Sequence, residues 1–432
     1  MGIHDIKSKL MTMIISLLAL LLILGGCSAS NGNNGAAADK GAPARGTDSS
    51  TTESAADDRG RVENKASEPE AHQEEVRRQG RTDAPIEAGQ LTAGEWDDLA
   101  AWERFNNVMN SYEGSNSSTH WGFEYFNRLE VLVTSDGRAV SDATVKLIGQ
   151  QKEIVWEART NAEGKAYLFA GLFRDHNDEQ FNQRTRYSVE VLAEQQKKKV
   201  SNIEVPGQGA LKVDLDGELP VSDQVDVMFV LDTTGSMQDE MDYLEAELND
   251  VITRAKEQHA NQLDIRMSTN FYRDIHDDYV VKANPFTTNI DQAVRLIAMQ
   301  KAQGGGDYPE AVEQALRNAV SEHKWSENAR ARLLFLVLDA PPHHETQIMQ
   351  EMHSVIADAA KEGIRIIPVA SSGVDADTEY LLRFAAVATG GTYLFLTDDS
   401  GIGSDHLEPA VGEFETKLLN DLLVEVINRY VH

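Results

Sequence analysis

The chain has 432 residues, a quarter of them charged, with 40 Lys and Arg against 70 Asp and Glu and a formal charge of −30 at pH 7. That length holds two folded domains and more, and the acidic balance excludes nucleic-acid binding, because no basic patch answers phosphate repulsion. A single cysteine excludes a disulfide within the chain.

Residues 1–27 carry Lys7 and Lys9, an apolar run from Leu10 to Leu24, and then Gly25, Gly26 and Cys27. That is a charged leader, an apolar stretch too short for a comfortable membrane span, and a small-residue cleavage site. Leu24-Gly-Gly-Cys27 looks like a bacterial lipobox. The resemblance implies that Cys27 is diacylated and becomes the first mature residue. The protein is then expected in the cell envelope, lipid-anchored and outward-facing. The membrane is the outer one if the host has two, and otherwise the plasma membrane. An uncleaved anchor helix would place the remainder on the same side.

Residues 28–88 are rich in Asn, Gly, Ala, Ser, Asp and Glu, with almost no large apolar residues. Such a stretch cannot bury enough surface to order itself and reads as a tether, with an r.m.s. reach of about 45 Å at 5–6 Å times the square root of residue number. A helical docking segment is expected over 89–125. Thr92-Ala-Gly-Glu95 has capping-box spacing, and Trp96, Leu99 and Trp102 would share one helical face. The run Leu91 to Leu99 is similar to a segment of certain bacterial multidomain proteins.

Residues 126–217 alternate apolar and polar at period two, as in Leu129-Val131-Val133, Ala143-Val145-Leu147, Tyr187-Val189-Val191 and Leu211-Val213-Leu215. This predicts a small all-β, Ig-like antiparallel sandwich. Asp136 to Lys146, followed by Ala158-Arg-Thr-Asn-Ala-Glu-Gly164, resembles the carboxypeptidase regulatory-like family of sandwich modules. That resemblance implies a spacer or binding role. Lys197-Lys-Lys199 reads as a solvated hairpin tip.

From 222 to 432, apolar strands alternate with helical patterns, which predicts an α/β fold, a doubly wound and mostly parallel sheet covered on both faces. Val227-Met-Phe-Val-Leu231 is a buried strand that stops at Asp232-Thr-Thr-Gly-Ser236. Met237, Met241, Leu244, Leu248 and Val251 then form one helical stripe. Alternate residues of an extended turn face the same way, so Asp232, Thr234 and Ser236 can converge. A carboxylate with two hydroxyls suits a hard cation rather than zinc. The same residues could instead cap the following helix.

Further segments follow in order: Leu263 to Asn270 closed by Phe271-Tyr-Arg-Asp274; Gly304-Gly-Gly-Asp307-Tyr-Pro-Glu-Ala311 opening a helix; Leu333 to Leu338 ending in Asp339; Ile364-Arg-Ile-Ile-Pro-Val369; and Thr389-Gly-Gly-Thr-Tyr-Leu-Phe395. Together with Asp232-Thr-Thr-Gly-Ser-Met237, they resemble the von Willebrand factor type A domain and its metal-ion-dependent adhesion site. The resemblance covers about half of the chain. It implies Mg²⁺ or Mn²⁺ held by Asp232, Thr234, Ser236 and Asp339, with one coordination position open to an acidic partner group. The best-known relatives place a threonine in the second loop, where this chain offers Asp307. As a ligand, Asp307 would oppose an acidic partner; its alternative is a helix N-cap ahead of Tyr308-Pro309. Asp274 is a candidate for supporting the ligands.

The leading function is therefore a surface-tethered, metal-dependent protein-binding or adhesion module, not an enzyme, with an unidentified protein ligand at the metal, the membrane held through the lipid anchor, and no nucleotide. An envelope scaffold with structural metal is the alternative. A metal-dependent hydrolase is a third reading, but no acid/base pair stands apart from the metal carboxylates. His343 and His344 lack zinc-site spacing. Ser371-Ser-Gly373 is not a nucleophile elbow, and Gly304-Gly-Gly306 lacks the lysine of a phosphate loop.

Overall fold

The structure is a computed structural model that describes residues 87–173, 185–258 and 262–432. All of them belong to one compact unit, Thr82–His432. Cys27, the leader before it and the tether through residue 86 lie outside the described residues.

The first described element is a strand, β1 (Thr92–Trp96), where the capping-box spacing predicts a helix. Its backbone pairs antiparallel with β15, described below, at Ala93↔Leu396 through Trp96↔Tyr393. Leu91 and Ala93 are buried. A Cβ on Gly94 would lie 2.5 Å from the Phe395 ring, so the missing side chain is what admits that ring. Long-range pairing has overridden a local helix signal. Helices follow only afterwards, α1 (Trp102–Met109) and α2 (Tyr112–His120). Of the predicted helical face, Leu99 is buried and Trp102 stacks on Phe105, while Trp96 lies on the strand.

Eight strands come next: β2 (Asn127–Ser135), β3 (Arg138–Ala139), β4 (Thr144–Ile148), β5 (Ile154–Arg159), β6 (Lys165–Ala170), β7 (Tyr187–Ala193), β8 (Gln196–Ile203) and β9 (Leu211–Leu215). They form two four-stranded sheets, β3-β2-β6 with β9 on β2, and β5-β4-β7-β8; pairing is antiparallel as expected except that β9 runs parallel to β2. Leu129, Val131 and Val133 of the first share an apolar core with Val145, Leu147, Val189 and Val191 of the second. Lys197-Lys-Lys199 lies in β8, near the turn that joins it to β7.

The rest alternates strands and helices: β10 (Gln224–Asp232), α3 (Gln238–Gln258), β11 (Asp264–Tyr272), β12 (Val281–Ala283), α4 (Ile290–Ala298), α5 (Val312–Arg317), β13 (Ala331–Leu338), α6 (Thr346–Glu362), β14 (Ile364–Ala370), α7 (Ala376–Thr389), β15 (Tyr393–Leu396), β16 (Lys417–Leu418) and α8 (Leu419–Val431). The sheet order is β12-β11-β10-β13-β14-β15-β1-β16. The five strands β11, β10, β13, β14 and β15 are parallel, and β12, β1 and β16 run antiparallel to their neighbours.

Residues alternate between the two faces of this sheet. Val225, Val227, Phe229 and Leu231 meet α3, α4 and α8, with Met237, Met241, Leu244, Leu248 and Val251 buried in one stripe. Met228 and Val230 belong to the opposite core, which holds α5, α6, α7 and the two smaller sheets. Leu418 stands just before α8 and outside its buried face. It is 39% exposed and pairs with Thr92 in β16.

Buried ion pairs lock the segments together. Arg332 on β13 holds Asp142, from the loop before β4, at 2.7 and 2.9 Å. Arg383 on α7 holds Asp98 through two bonds of 2.8 Å. Glu247, buried on α3, accepts from the N–H groups of Gly89, Gln90 and Leu91 at 2.8, 2.8 and 3.1 Å.

Candidate metal centre

β10 and β13 are neighbours in the parallel sheet, so Asp232 and the Asp339 that follows β13 stand side by side at the strands' carboxyl ends. Open α/β sheets place ligands at this edge. Asp232 Oδ1 accepts from the Thr234 N–H at 2.8 Å and from the Thr234 hydroxyl at 2.6 Å. The Thr234 and Ser236 hydroxyls are 3.3 Å apart. Asp232, Thr234 and Asp339 are buried, whereas Ser236 opens to solvent. The alternate-residue convergence expected of the first loop is present. The helix-cap reading has less to rest on: a short 3₁₀ turn, Gly235–Met237, precedes α3, and its N-cap residue Thr234 makes no side-chain capping bond.

The first loop is braced by the other two. Gly235 N–H donates to the Gly304 carbonyl at 3.2 Å, and a Cβ on Gly235 would sit 3.1 Å from that oxygen. The buried Arg273 guanidinium bridges the Thr233 carbonyl at 3.1 Å and the Lys301 carbonyl at 2.8 Å. It thus stitches the first loop to the second and does not pair with Asp274. Gly304 and Gly305 both have φ near +80°, at +86° and +73°, a region in which glycine is unstrained.

Asp307 is exposed on the rim. It is not a helix cap, since α5 begins at Val312 with Ala311 in the N-cap position. The carboxylate that the second loop sends inward is Glu310, three residues on and 3% exposed. A Cβ on Gly305 would lie 2.9 Å from Glu310 Oε1 and 3.4 Å from Thr234 Cβ, which sets Glu310 against the first loop. The Pro-Glu of the glycine-rich run carried this signal, but sequence alone did not say which of two carboxylates would turn in. Asp274 is buried and paired with His343 at 2.8 Å. Burial works against the His343 charge, but Asp274 outweighs it and holds the imidazole pKa above its ordinary value. His344 donates to the His120 carbonyl at 2.7 Å and stacks on the His120 ring at 3.9 Å.

Three inward carboxylates repel one another. Burial raises the pKa of Asp232 to about 6, with Thr234 partly offsetting this and the Asp277 charge adding to it; burial and then the Asp232 charge raise that of Asp339 to about 7, with the Ser236 hydroxyl partly offsetting. Glu310 is pushed up to about 9, by burial first and then by Asp232, Asp274 and Asp339. Buried oxygens are left without hydrogen-bond partners: Asp232 Oδ2, Asp339 Oδ1, Glu310 Oε2 and Ser371 Oγ. Such atoms are costly unless something answers them. An all-oxygen set with unanswered negative charge fits a hard divalent cation. Among the described residues, no three His, Cys, Asp or Glu side chains already stand at the spacing of a formed cage. The pre-set donors are therefore two carboxylates and two hydroxyls, with Glu310 alongside.

A doubly wound α/β domain with an oxygen-lined site at its strand ends defines the class. Residues 226–394 match the family model described as von Willebrand factor A domain, and this part of the chain is such a domain, a type that suggests a protein-interaction or adhesion role. A stretch of 122 residues is 29% identical to a putative ariadne-like RING finger protein of Acanthamoeba polyphaga mimivirus. It is 28% of this chain and spans only 12% of that protein. Among solved structures, the conserved hypothetical protein BatB from Bacteroides thetaiotaomicron is similar at 14% identity and a TM-score of 0.33, over 48% of this chain and 98% of that one.

Proposed function

We propose that the von Willebrand factor A domain is a divalent-cation-dependent protein-binding module, not an enzyme, carried by a lipid-anchored envelope protein. The observation that supports this most is the pair of buried, partnerless oxygens, Asp232 Oδ2 and Asp339 Oδ1, beside the Thr234 and Ser236 hydroxyls. Mg²⁺ or Mn²⁺ would be held by these four residues, and Glu310 takes the second-loop role first considered for Asp307. Bound, the cation supplies a Lewis-acidic point to which a partner's oxygen can attach. The residues do the rest. Asp232 orients Thr234, Arg273 fixes the loops, and Ser236 leaves the site open to solvent.

With Asp232 and Asp339 already balancing the dication and Glu310 alongside, little positive charge is left for a partner carboxylate, which favours a neutral oxygen donor. The two four-stranded sheets are read as the Ig-like sandwich, a spacer of the carboxypeptidase regulatory-like kind. Anchoring through Cys27 places the module outside the cytoplasmic membrane.

The test is capture from envelope extract by the immobilised protein in Mg²⁺ and in EDTA, with Asp232→Ala as control. A partner retained in Mg²⁺ and lost in both EDTA and the variant supports the reading; equal capture in all three overturns it. Fatty-acid labelling checks the anchor, since Cys27→Ser must abolish incorporation.

A further inference from the structure

Beside the metal centre lies a groove of about 760 Å³. At its rim are Ile275, next to Asp274, and Glu345, in the loop after Asp339; both are exposed. Val281 of β12 and Ile348 of α6 add apolar wall. Glu313, in the first turn of α5 and three residues beyond Glu310, also lines the groove.

Glu313 is only 2% exposed. Its Oε1 accepts from the Gln314 amide at 3.3 Å, and its Oε2 has no partner. A buried carboxylate oxygen left this way carries a desolvation cost that a donor entering the groove would relieve. The groove's charge points to the kind of donor. Glu313, Glu322, Glu345 and Glu351 face a single guanidinium, Arg317, and that one is already paired with Glu351 at 2.7 Å.

We propose that this groove takes a lysine or arginine side chain of the bound protein, its cation reaching Glu313 while its methylenes lie along Ile275, Val281 and Ile348. The proposal rests on the reading of the strand-end face as the partner-binding face, and it names part of the partner's chemistry. A neutral oxygen meets the cation, and a basic side chain one short segment away enters the groove.

The probe is the peptide acetyl-Gly-Ser-Lys-Ser-Gly-amide, compared with its arginine and norleucine analogues, titrated against the full chain by ligand-observed NMR. Lysine or arginine should bind at least ten times more tightly than norleucine in Mg²⁺. Glu313→Gln, which keeps the shape, should bring that ratio to within twofold. Glu345→Gln, at an exposed position whose side chain makes no capping bond to α6, should lower it two- to threefold and serves if the first variant does not fold. A ratio near one in the unaltered protein, or a ratio unchanged in a folded variant, overturns the proposal. Repetition in EDTA separates the two readings. A basic preference with no response to Mg²⁺ overturns the metal-dependent reading and supports the groove; a Mg²⁺ response with no basic preference overturns the groove alone.

Discussion

Arg332 and Asp142 join the parallel sheet to the smaller β sheets through a two-pronged ion pair of 2.7 and 2.9 Å, in which Asp142 also accepts from the Ala329 N–H at 3.1 Å. Both side chains are largely buried; Asp142 has a second partner in Arg159 at 3.2 Å, but losing Asp142 leaves the Arg332 guanidinium with only the Ser326 and Glu327 carbonyls. Asp142→Ala should cost about 3 kcal/mol. Arg332→Met combined with Asp142→Ala should cost less than the sum of the two single changes, as measured by urea unfolding. Strict additivity would show that the pair does not couple the two regions.

Divalent cation should stabilise the domain. At 100 times its Kd, Mg²⁺ adds about 2.7 kcal/mol if it binds only the folded state. Asp232→Ala should remove that gain. Melting curves in Mg²⁺ and in chelator check it, and identical midpoints for the unaltered protein would argue against a metal site.

Metal-free stability should fall as pH rises. The folded-state pKa values of Asp232, Asp339 and Glu310 are raised, so the native state binds more protons than the unfolded chain. The slope of unfolding free energy against pH is then negative. The window opens near pH 4, the ordinary carboxylate range, and closes near 9, where Glu310 titrates. Mg²⁺ requires the ionised carboxylates, so its affinity should climb through the same window. Urea midpoints in EDTA at pH 5 and pH 8.5 test the sign; a higher midpoint at pH 8.5 would contradict it.

The second loop offers a direct contest between Asp307 and Glu310. Glu310→Gln should weaken Mn²⁺ binding at least tenfold, which is about 1.4 kcal/mol, whereas Asp307→Asn should leave it nearly unchanged. Calorimetric titration of both variants decides. The reverse order would return the role to Asp307.

Glu247 should hold the entering chain. It gathers three successive N–H groups on one buried carboxylate, and hydrogen bonds to charged groups are worth about 1.5–3 kcal/mol each. Glu247→Gln should speed amide exchange at Gly89, Gln90 and Leu91 ahead of the rest of the sheet. Uniform exchange across β1 and β10 would remove the local role.

What could be read in advance followed sequence distance. Asp232, Thr234 and Ser236 occupy one short stretch after an apolar strand, and Asp339 ends another, so chain order alone placed them at one edge. The alternation of Leu129, Val131 and Val133 likewise foretold which side chains would be buried. Thr92–Trp96 was illegible because its structure is decided by Leu394–Leu396, some 300 residues away. Asp307 and Glu310 were ambiguous for a subtler reason: the positive φ angles of Gly304 and Gly305 set which carboxylate turns inward, and those angles are fixed by contacts with Gly235 and Asp277. Arg273 went unread as a brace because both of its acceptors are backbone carbonyls.

The strand β1 lies 130 residues upstream of the first residue matched by the family model, yet it covers β15. A fragment cut at the family boundaries would therefore lack β1, end inside β15 at Leu394, and leave a row of β14 peptide groups around Val369 and Ala370 largely unpaired. Such a row invites another chain to pair with it. The stretch that inheritance marks as the domain is thus smaller than the stretch that can stand alone. Transplanting this module into another protein requires both sides of the inserted β sheets, from Gly89 onward, for the graft to remain monomeric.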